Sequence, residues 1–342
     1  MKKILITGGA GFMGSNAALL FNKNKWKIIL VDDLSRKGSK NNLLNLKKKI
    51  KVDFYKVDIA NYEKISKIIS KTRPNLILHC AGQVAVTKSV IDPKRDFKSN
   101  ALGTFNILES IRIFSKTSKL IYISTNKVYG NIKANIFSDK KRYYFNTSSK
   151  NINEKFPLDF YSPYGCSKGT ADQYVRDYSR IYNLNTTVLR LSCIYGGMQY
   201  GIEDHGWITW LTISAVFGKK IKIFGNGKQV RDALYIDDLV RLFYKVAIKS
   251  KTKGKIYNVG GGSRNSLSLI QLIDTLQMKL NKKINHKKYD WRPGDQKIYI
   301  SDISKVSSEL NWKPKIKISD GLDNVINWVK LNHDTIKKTL KI

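Results

Sequence analysis

Tyr164 and Lys168 stand four residues apart in Ser162-Pro163-Tyr164-Gly165-Cys166-Ser167-Lys168-Gly169-Thr170-Ala171. Pro163 and the small residues after it suit the first turn of a helix. On a helix that spacing puts both side chains on one face. An ammonium beside a phenol favours the phenolate, by charge and by hydrogen bonding. The free phenol titrates near 10, so bringing it close to neutrality takes roughly 4 kcal/mol of differential stabilisation. A phenolate so poised can take a proton from a substrate hydroxyl. Tyr-x-x-x-Lys pairs arise readily in a chain with 18 tyrosines and 62 lysines and arginines. The surroundings must decide whether this one does chemistry.

Those surroundings alternate strand with helix. Lys2 to Thr7 is a short apolar run, as expected of a buried parallel strand. Gly8-Gly9-Ala10-Gly11-Phe12-Met13-Gly14 follows, and then a helical pattern through Asn16, Ala18, Leu19 and Phe21. Glycines at 8, 11 and 14 permit a tight turn, close backbone approach and close packing of helix on strand, with a pyrophosphate at the helix N-terminus. Lys27 to Val31 reads as a second strand ending at Asp32-Asp33. A carboxylate there, 18 residues beyond Gly14, is placed to accept both ribose hydroxyls of an adenosine and to repel a 2′-phosphate, which favours NAD over NADP. Arg36 pulls the other way, since a nearby arginine accommodates that phosphate. Val52 to Val57 is a third strand, with Asp58-Ile59 at its end where an adenine edge fits. A helix over Tyr62 to Lys71 precedes a strand at Leu76 to His79, which leads into the small residues Cys80-Ala81-Gly82-Gln83. His79 reads as a packed strand-end histidine. Asp96 to Ser115, containing Asn100, reads as one long helix, and Lys119 to Ser124 as a strand with Thr125 at its end. Thr186 to Leu191 is a further strand.

Such alternation implies an α/β fold, a doubly wound parallel Rossmann-type sheet with ligands at the carboxyl ends of its strands. Residues 131–160 read as a polar loop or small excursion. After Leu191 the alternation becomes irregular, and Ile256 to Val259 looks like a strand returning to the main sheet. The expected division is a NAD-binding domain over 1–191 with 253–262, and a smaller, sequence-discontinuous substrate domain over 192–252 with 263–342.

The bulk numbers narrow the class. A chain of 342 residues with 42% hydrophobic content has ample core. No run approaches the ~18 apolar residues of a membrane span, and Met1 to Thr7 lacks the apolar stretch of a signal peptide. Cys80, Cys166 and Cys193 lie far apart, forming neither a disulfide framework nor a zinc site, so no metal is expected and a cytoplasmic setting is. The formal charge of +36 is spread along the chain rather than blocked. It reads as solvated lysine faces, with no nucleic-acid motif and no membrane partner, though an anionic substrate would be drawn to it.

Glycines 8, 11 and 14, Asp32, Thr125, Tyr164 and Lys168 together resemble the extended short-chain dehydrogenase/reductase family, and within it the NAD-dependent nucleotide-sugar epimerases and dehydratases. The resemblance covers nearly the whole chain. It implies a bound NAD cofactor held by Gly8, Gly11, Phe12, Met13, Gly14, Asp32, Asp33, Ser35, Arg36, Asp58, Ile59, Ala81, Gly82, Gln83, Asn100, Tyr164 and Lys168, with Thr125, Tyr164 and Lys168 catalytic. Gly225 to Asp232 and Arg292-Pro293-Gly294-Asp295 match the family's nucleotide-diphosphate segments. The implied substrate residues are Val84, Thr125, Asn126, Ser192, Gln199, Trp207, Arg231, Arg292 and Asp295. Arginine suits a diphosphate because its planar fork binds phosphate in bidentate fashion. Asp33 to Gly38, Ala81 to Ala85, Ser124 to Gly130 and Ser162 to Gly169 look most like the branch that inverts C2 of CDP-linked 3,6-dideoxyhexoses. That likeness implies a CDP-hexose partner and a homo-oligomer, a tetramer. Leu191 departs from it, since a histidine is expected there.

Asn126-Lys127 separates reaction types. Family dehydratases place Asp-Glu after the threonine, as acid and base for removing water. Without those carboxylates elimination lacks its proton carriers, whereas epimerisation needs only removal and return of hydride. Three readings stay open: the CDP-sugar 2-epimerase, a UDP-hexose 4-epimerase using the same residues, and a non-catalytic NAD or nucleotide-sugar sensor.

Overall fold

The computed structural model describes residues 1–132, 135–146, 151–292 and 295–342. Lys3–Thr7 (β1), Lys27–Asp32 (β2), Val52–Lys56 (β3), Leu76–His79 (β4), Lys119–Thr125 (β5), Asn185–Leu191 (β6) and Lys255–Val259 (β7) join in one seven-stranded sheet, in the order β7-β6-β5-β4-β1-β2-β3. β1 pairs in parallel with β2 and β4, β2 with β3, and β4 with β5. The order reverses between β1 and β4, so a crevice opens beside the carboxyl ends of those strands. Thr7, Asp32, His79 and Thr125 all stand at such ends. Strand interiors read Ile4-Leu5-Ile6, Leu76-Ile77-Leu78 and Leu120-Ile121-Tyr122, and every one of these is buried, as a sheet covered on both faces requires.

The connecting helices are Phe12–Lys23 (α1), Ser39–Lys49 (α2), Tyr62–Thr72 (α3), Val86–Ile91 (α4), Pro93–Phe97 (α5), Gly103–Phe114 (α6) and Ser162–Ile181 (α7). α3 begins where the Asn61 side chain accepts from Lys64 N at 3.0 Å, satisfying one orphan amide of the first turn. α7 carries Pro163 in its first turn, as expected. One expectation fails. The single helix over Asp96 to Ser115 is broken by a wider π turn at Lys98–Leu102. An inserted residue of this kind leaves the apolar periodicity on either side intact, so the pattern does not register it.

Two compact units emerge. The first comprises 1–128, 160–190 and 239–257, the second 129–159, 191–238 and 258–342. Residues 129–159 therefore group with the second unit rather than the first, and 239–252 with the first rather than the second. Local bonds explain both. Tyr129 Oη donates to Asn258 at 2.7 Å, and Ile152 N donates to Ile300 O at 2.9 Å. In the first unit Lys119 Nζ donates to the Val246 carbonyl and, at 2.8 Å, to that of Lys249, capping the end of the helix Ile236–Ile248.

The second unit holds a small sheet in which Val230–Tyr235 pairs with Ser266–Ser268, Ile298–Tyr299 and Cys193–Tyr195. The excursion within 131–160 contains an antiparallel hairpin of Ile136–Ser138 and Tyr143–Phe145. Its remaining residues Lys133, Ala134 and Thr147 to Lys150 lie outside the described set, as do Pro293 and Gly294 of the second diphosphate segment.

Candidate active site

β1 ends at Thr7 and the chain turns through Gly8, at φ +63°. A Cβ on Gly8 would meet the Ala81 nitrogen at 2.8 Å, so conformation and space both demand glycine. A Cβ on Gly14 would collide with the Gly8 carbonyl. Gly11 closes the turn, its N–H donating to Gly8 O at 3.0 Å, and serves as N-cap of α1 with no side-chain cap. No cap side chain competes with an anion for the first amides of that helix.

Asp32 is buried at the end of β2. Its Oδ2 accepts from Ala10 N at 3.0 Å and its Oδ1 from Leu34 N at 2.8 Å. Burial pushes its pKa up while those amides pull it down. The carboxylate thus pins the glycine turn to the loop after β2. Asp33 Oδ1 accepts both the N–H and the hydroxyl of Ser35, at 2.9 and 2.7 Å. The Arg36 charge acts on both Asp32 and Tyr164. Asp58 Oδ1 accepts from Ala60 N at 2.9 Å, beside buried Ile59. Gly82 and Gln83 follow β4, and Asn100 sits in the π turn with 1% exposure. The Asn100 Oδ1 is buried without a hydrogen-bond partner. A glycine cradle, an uncapped helix start, a strand-end carboxylate and an orphaned acceptor suit a dinucleotide.

Thr125, Tyr164 and Lys168 are 7%, 8% and 6% exposed. Thr125 is hydrogen-bonded to the Tyr164 phenol, which favours the phenolate, yet burial outweighs it and pushes the phenol up to about 12. Lys168 Nζ donates to Ile123 O at 2.5 Å and lies 4.3 Å from the Tyr122 ring centre. Burial pushes the ammonium down to about 8, opposed first by the charge of Asp172. The ammonium is satisfied by the β5 backbone, and the cation that lowers Tyr164 is Arg36. From about 12, a phenolate at neutral pH needs roughly 7 kcal/mol of further stabilisation during reaction. Asn126 is buried beside Thr125.

Several residues that hold this trio escaped the sequence reading. Ser89 Oγ accepts from Tyr164 N at 3.1 Å. Ser124 Oγ donates to Asp172 Oδ2 at 2.7 Å, and Arg190 grips the same carboxylate from β6 with bonds of 2.9 and 2.8 Å. Asp96 gathers Gln83, Asn100 and Ser167. Only the four-residue spacing of Asp96 from Asn100, and of Asp172 from Lys168, signals these in sequence. His79 is a packed strand-end histidine, as expected. Its Nδ1 lies 2.7 Å from Thr7 Oγ1 and its Nε2 3.0 Å from Thr104 Oγ1. The Thr104 hydroxyl already donates to Asn100 O, so it accepts from a protonated Nε2, and Thr7 donates to Nδ1.

In the second unit, the substrate candidates are each engaged by neighbouring groups. Arg231 Nη2 pairs with Asp295 Oδ1 at 2.6 Å. Arg292 stacks 3.7 Å from the Phe224 ring centre and lies 3.5 Å from carboxylate oxygens of Glu203 and Asp204. Ser192 Oγ donates to the Asp232 carboxylate. Trp207 Nε1 donates to Cys193 Sγ at 3.2 Å. The Gln199 amide donates to Ile194 O at 3.3 Å and accepts from Thr209, which holds the 199–207 turn. Leu191 is buried at the end of β6. Val84 is half-buried beside Gln83 in the first unit.

A sheet with this reversal, a glycine turn, an acidic β2 end and a buried Thr, Tyr and Lys together define an extended short-chain dehydrogenase/reductase. The profile of the family described as GDP-mannose 4,6 dehydratase matches residues 5–325, and the chain belongs to that family. It is 40% identical over 333 residues, 95% of this chain and 98% of the relative, to the CDP-paratose 2-epimerase of Salmonella typhi. It is 29% identical over 357 residues, 98% of this chain and 94% of the relative, to the dTDP-glucose 4,6-dehydratase of Shigella flexneri. The UDP-glucuronic acid 4-epimerase of Bacillus cereus, solved with UDP-glucuronic acid and NAD, superposes with a TM-score of 0.84 at 27% identity, covering 96% of this chain and 99% of that one.

Proposed function

We propose that this protein is an NAD-dependent nucleotide-sugar epimerase that inverts C2 of a CDP-linked 3,6-dideoxyhexose, taking CDP-paratose to CDP-tyvelose through a transient 2-keto sugar. The observation that carries the reading is Asn126-Lys127 directly after Thr125. The trio for oxidising a sugar carbon is present, and the acid–base pair for removing water is not. The 40% identity to a CDP-paratose 2-epimerase points to the same sugar.

Bound NAD+ supplies the acceptor that takes hydride from the sugar carbon and later returns it. The chain's own residues do the rest. The glycine turn and the start of α1 receive the pyrophosphate, and Asp32 accepts the adenosine ribose hydroxyls. Tyr164 takes the proton from the C2 hydroxyl and gives it back after the ketone has turned its other face. Thr125, bonded to the phenol, positions that oxygen, and Asn126 lies beside it. Lys168 holds the nicotinamide ribose and keeps a positive charge near the phenol. Val84, Ser192, Gln199, Trp207, Arg231, Arg292 and Asp295 form the substrate side. There a diphosphate would compete with carboxylates for the two arginines. Because the cofactor is regenerated each turn it stays bound. In this reading the enzyme serves in the cytoplasm as a homo-oligomer in assembling dideoxyhexose-bearing O-antigen. Exposed Ile91, Phe97 and Ile181 at 83%, 55% and 67% offer apolar surface for a second copy.

Leu191, standing where a histidine is expected, favours keeping the UDP-hexose 4-epimerase as the second reading. Incubating purified protein separately with CDP-paratose and UDP-glucose, and identifying products by NMR, separates the two. CDP-tyvelose from the first substrate is expected. UDP-galactose from the second, with CDP-paratose untouched, would replace this reading with the other. No product from either would leave the sensor.

A further inference from the structure

Asp96 is fully buried in α5, yet no cation touches its carboxylate among the described residues. Three donors surround it instead. Gln83 Nε2 donates to Oδ1 at 2.9 Å, Asn100 Nδ2 to Oδ1 at 3.2 Å, and Ser167 Oγ donates to Oδ2. They come from the loop after β4, from the π turn and from α7 between Tyr164 and Lys168. A carboxylate only accepts hydrogen bonds, so it dictates which end of each neighbouring amide faces it. The Gln83 carbonyl is turned to Ala85 N. Asn100, its nitrogen also donating to Ser167 Oγ at 3.0 Å, has its Oδ1 turned toward Gly82, where an added Cβ would sit 2.6 Å away. That oxygen is left without a partner in a residue 1% exposed, a state that is costly unless a ligand donates to it.

We propose that Asp96 is a positioning residue of this site: by drawing the donors of Gln83, Asn100 and Ser167 inward, it turns the Asn100 carbonyl oxygen out as an acceptor for an N–H or O–H of the bound dinucleotide and locks the cofactor loop to the catalytic helix. This rests on the NAD-binding reading above. The carboxylate charge also acts on both Tyr164 and Lys168, raising each, so its removal carries a signature that loss of packing lacks. In Asp96→Asn an amide nitrogen enters the cluster of donors, and one neighbour must turn to offer it an acceptor.

The test uses full-length wild type, Asp96→Asn and Ser167→Ala. It measures NAD released on denaturation, NAD dissociation, the thermal midpoint and the pH profile of kcat. Asp96→Asn is expected to release NAD roughly tenfold faster, the scale of one lost hydrogen bond to a charged partner, with both limbs of its pH profile moved to lower pH. Ser167→Ala keeps the charge and is expected to loosen NAD roughly threefold without moving the limbs. A lowered midpoint with wild-type NAD retention and unmoved limbs would make Asp96 merely structural and overturn the proposal. Should Asp96→Asn fail to fold, wild-type NAD retention in Ser167→Ala overturns it alone. Wild type that carries no NAD and turns nothing over would sink the underlying reading instead.

Discussion

Arg190 and Asp172 form an ion pair with 1% and 0% side-chain exposure, and cutting it tests how the catalytic helix is anchored. The guanidinium reaches Asp172 through Nε at 2.9 Å and Nη2 at 2.8 Å, while Ser124 and Gln173 add donors at 2.7 and 2.9 Å. Arg190→Met removes two of four donors and the only cation bonded to that carboxylate among the described residues. Breaking a buried pair from one side costs about 3–5 kcal/mol, because a charge is left uncompensated in low dielectric. Replacing both partners, as in Arg190→Met with Asp172→Leu, removes the charge altogether. What remains is two donors without an acceptor: buried Ser124, at about 1–3 kcal/mol, and half-buried Gln173, whose amide can turn to water. The double variant is therefore expected to be no less stable than the single, although it carries more change. Urea unfolding followed by fluorescence reads both, at matched m-values. A single variant costing under about 1 kcal/mol, or a double variant whose cost equals the sum of the two singles, would refute the claim that this pair is a charge–charge unit. Activity below the transition should fall too, since Ser124 adjoins Thr125 and Asp172 lies one turn beyond Lys168.

Two further outcomes follow from the site. Tyr164→Phe should lower kcat about a thousandfold, within the range for a lost general base, while purified protein still carries NAD; near-normal turnover would remove Tyr164 from its role. His79 gives a pH dependence of stability. Burial pushes it from 6.5 to about 3, so between those values the unfolded chain binds a proton that the fold refuses. Stability must therefore fall as pH drops through that window, by at most roughly 5 kcal/mol from this residue. His79→Asn should flatten the slope of unfolding free energy between pH 4 and 6 in urea titrations, and an unchanged slope would show that other groups set it.

What was legible in the chain follows how far each interaction reaches along it. The inner strands show as short apolar runs because they are buried on both faces, while edge strand β3 is only half-buried, and the cofactor turn shows because Gly8 takes a positive φ and Gly14 packs on Gly8 six residues back. Tyr164 and Lys168 show because a helix makes neighbours of residues four apart. The π turn at Lys98–Leu102 does not show, since it costs one residue of register and no apolar position. Asp96, Arg190 and Ser89 stayed hidden because their partners lie 71, 18 and 75 residues away. The grouping of 129–159 with the second unit rests on equally distant bonds, such as Tyr129 to Asn258.

The same difference in reach bears on how the chemistry is divided. A phenol, a threonine and a lysine would serve proton removal at any sugar carbon from which NAD+ takes a hydride, and nothing in that trio chooses between C2 and C4. Reaction type is read beside it, at Asn126 and Lys127, where the carboxylate pair that serves an elimination is missing. The choice of carbon has to come from whatever fixes the nucleotide, since moving the diphosphate by one sugar bond presents a different carbon to the same phenol. In the proposed function Arg231 and Arg292 fix it, and each faces carboxylates, Asp295 for one and Glu203 with Asp204 for the other. On that proposal a diphosphate would displace or share those partners, so Asp295→Asn is expected to tighten nucleotide binding, read by titration calorimetry, and unchanged binding would remove Arg231 from the diphosphate site.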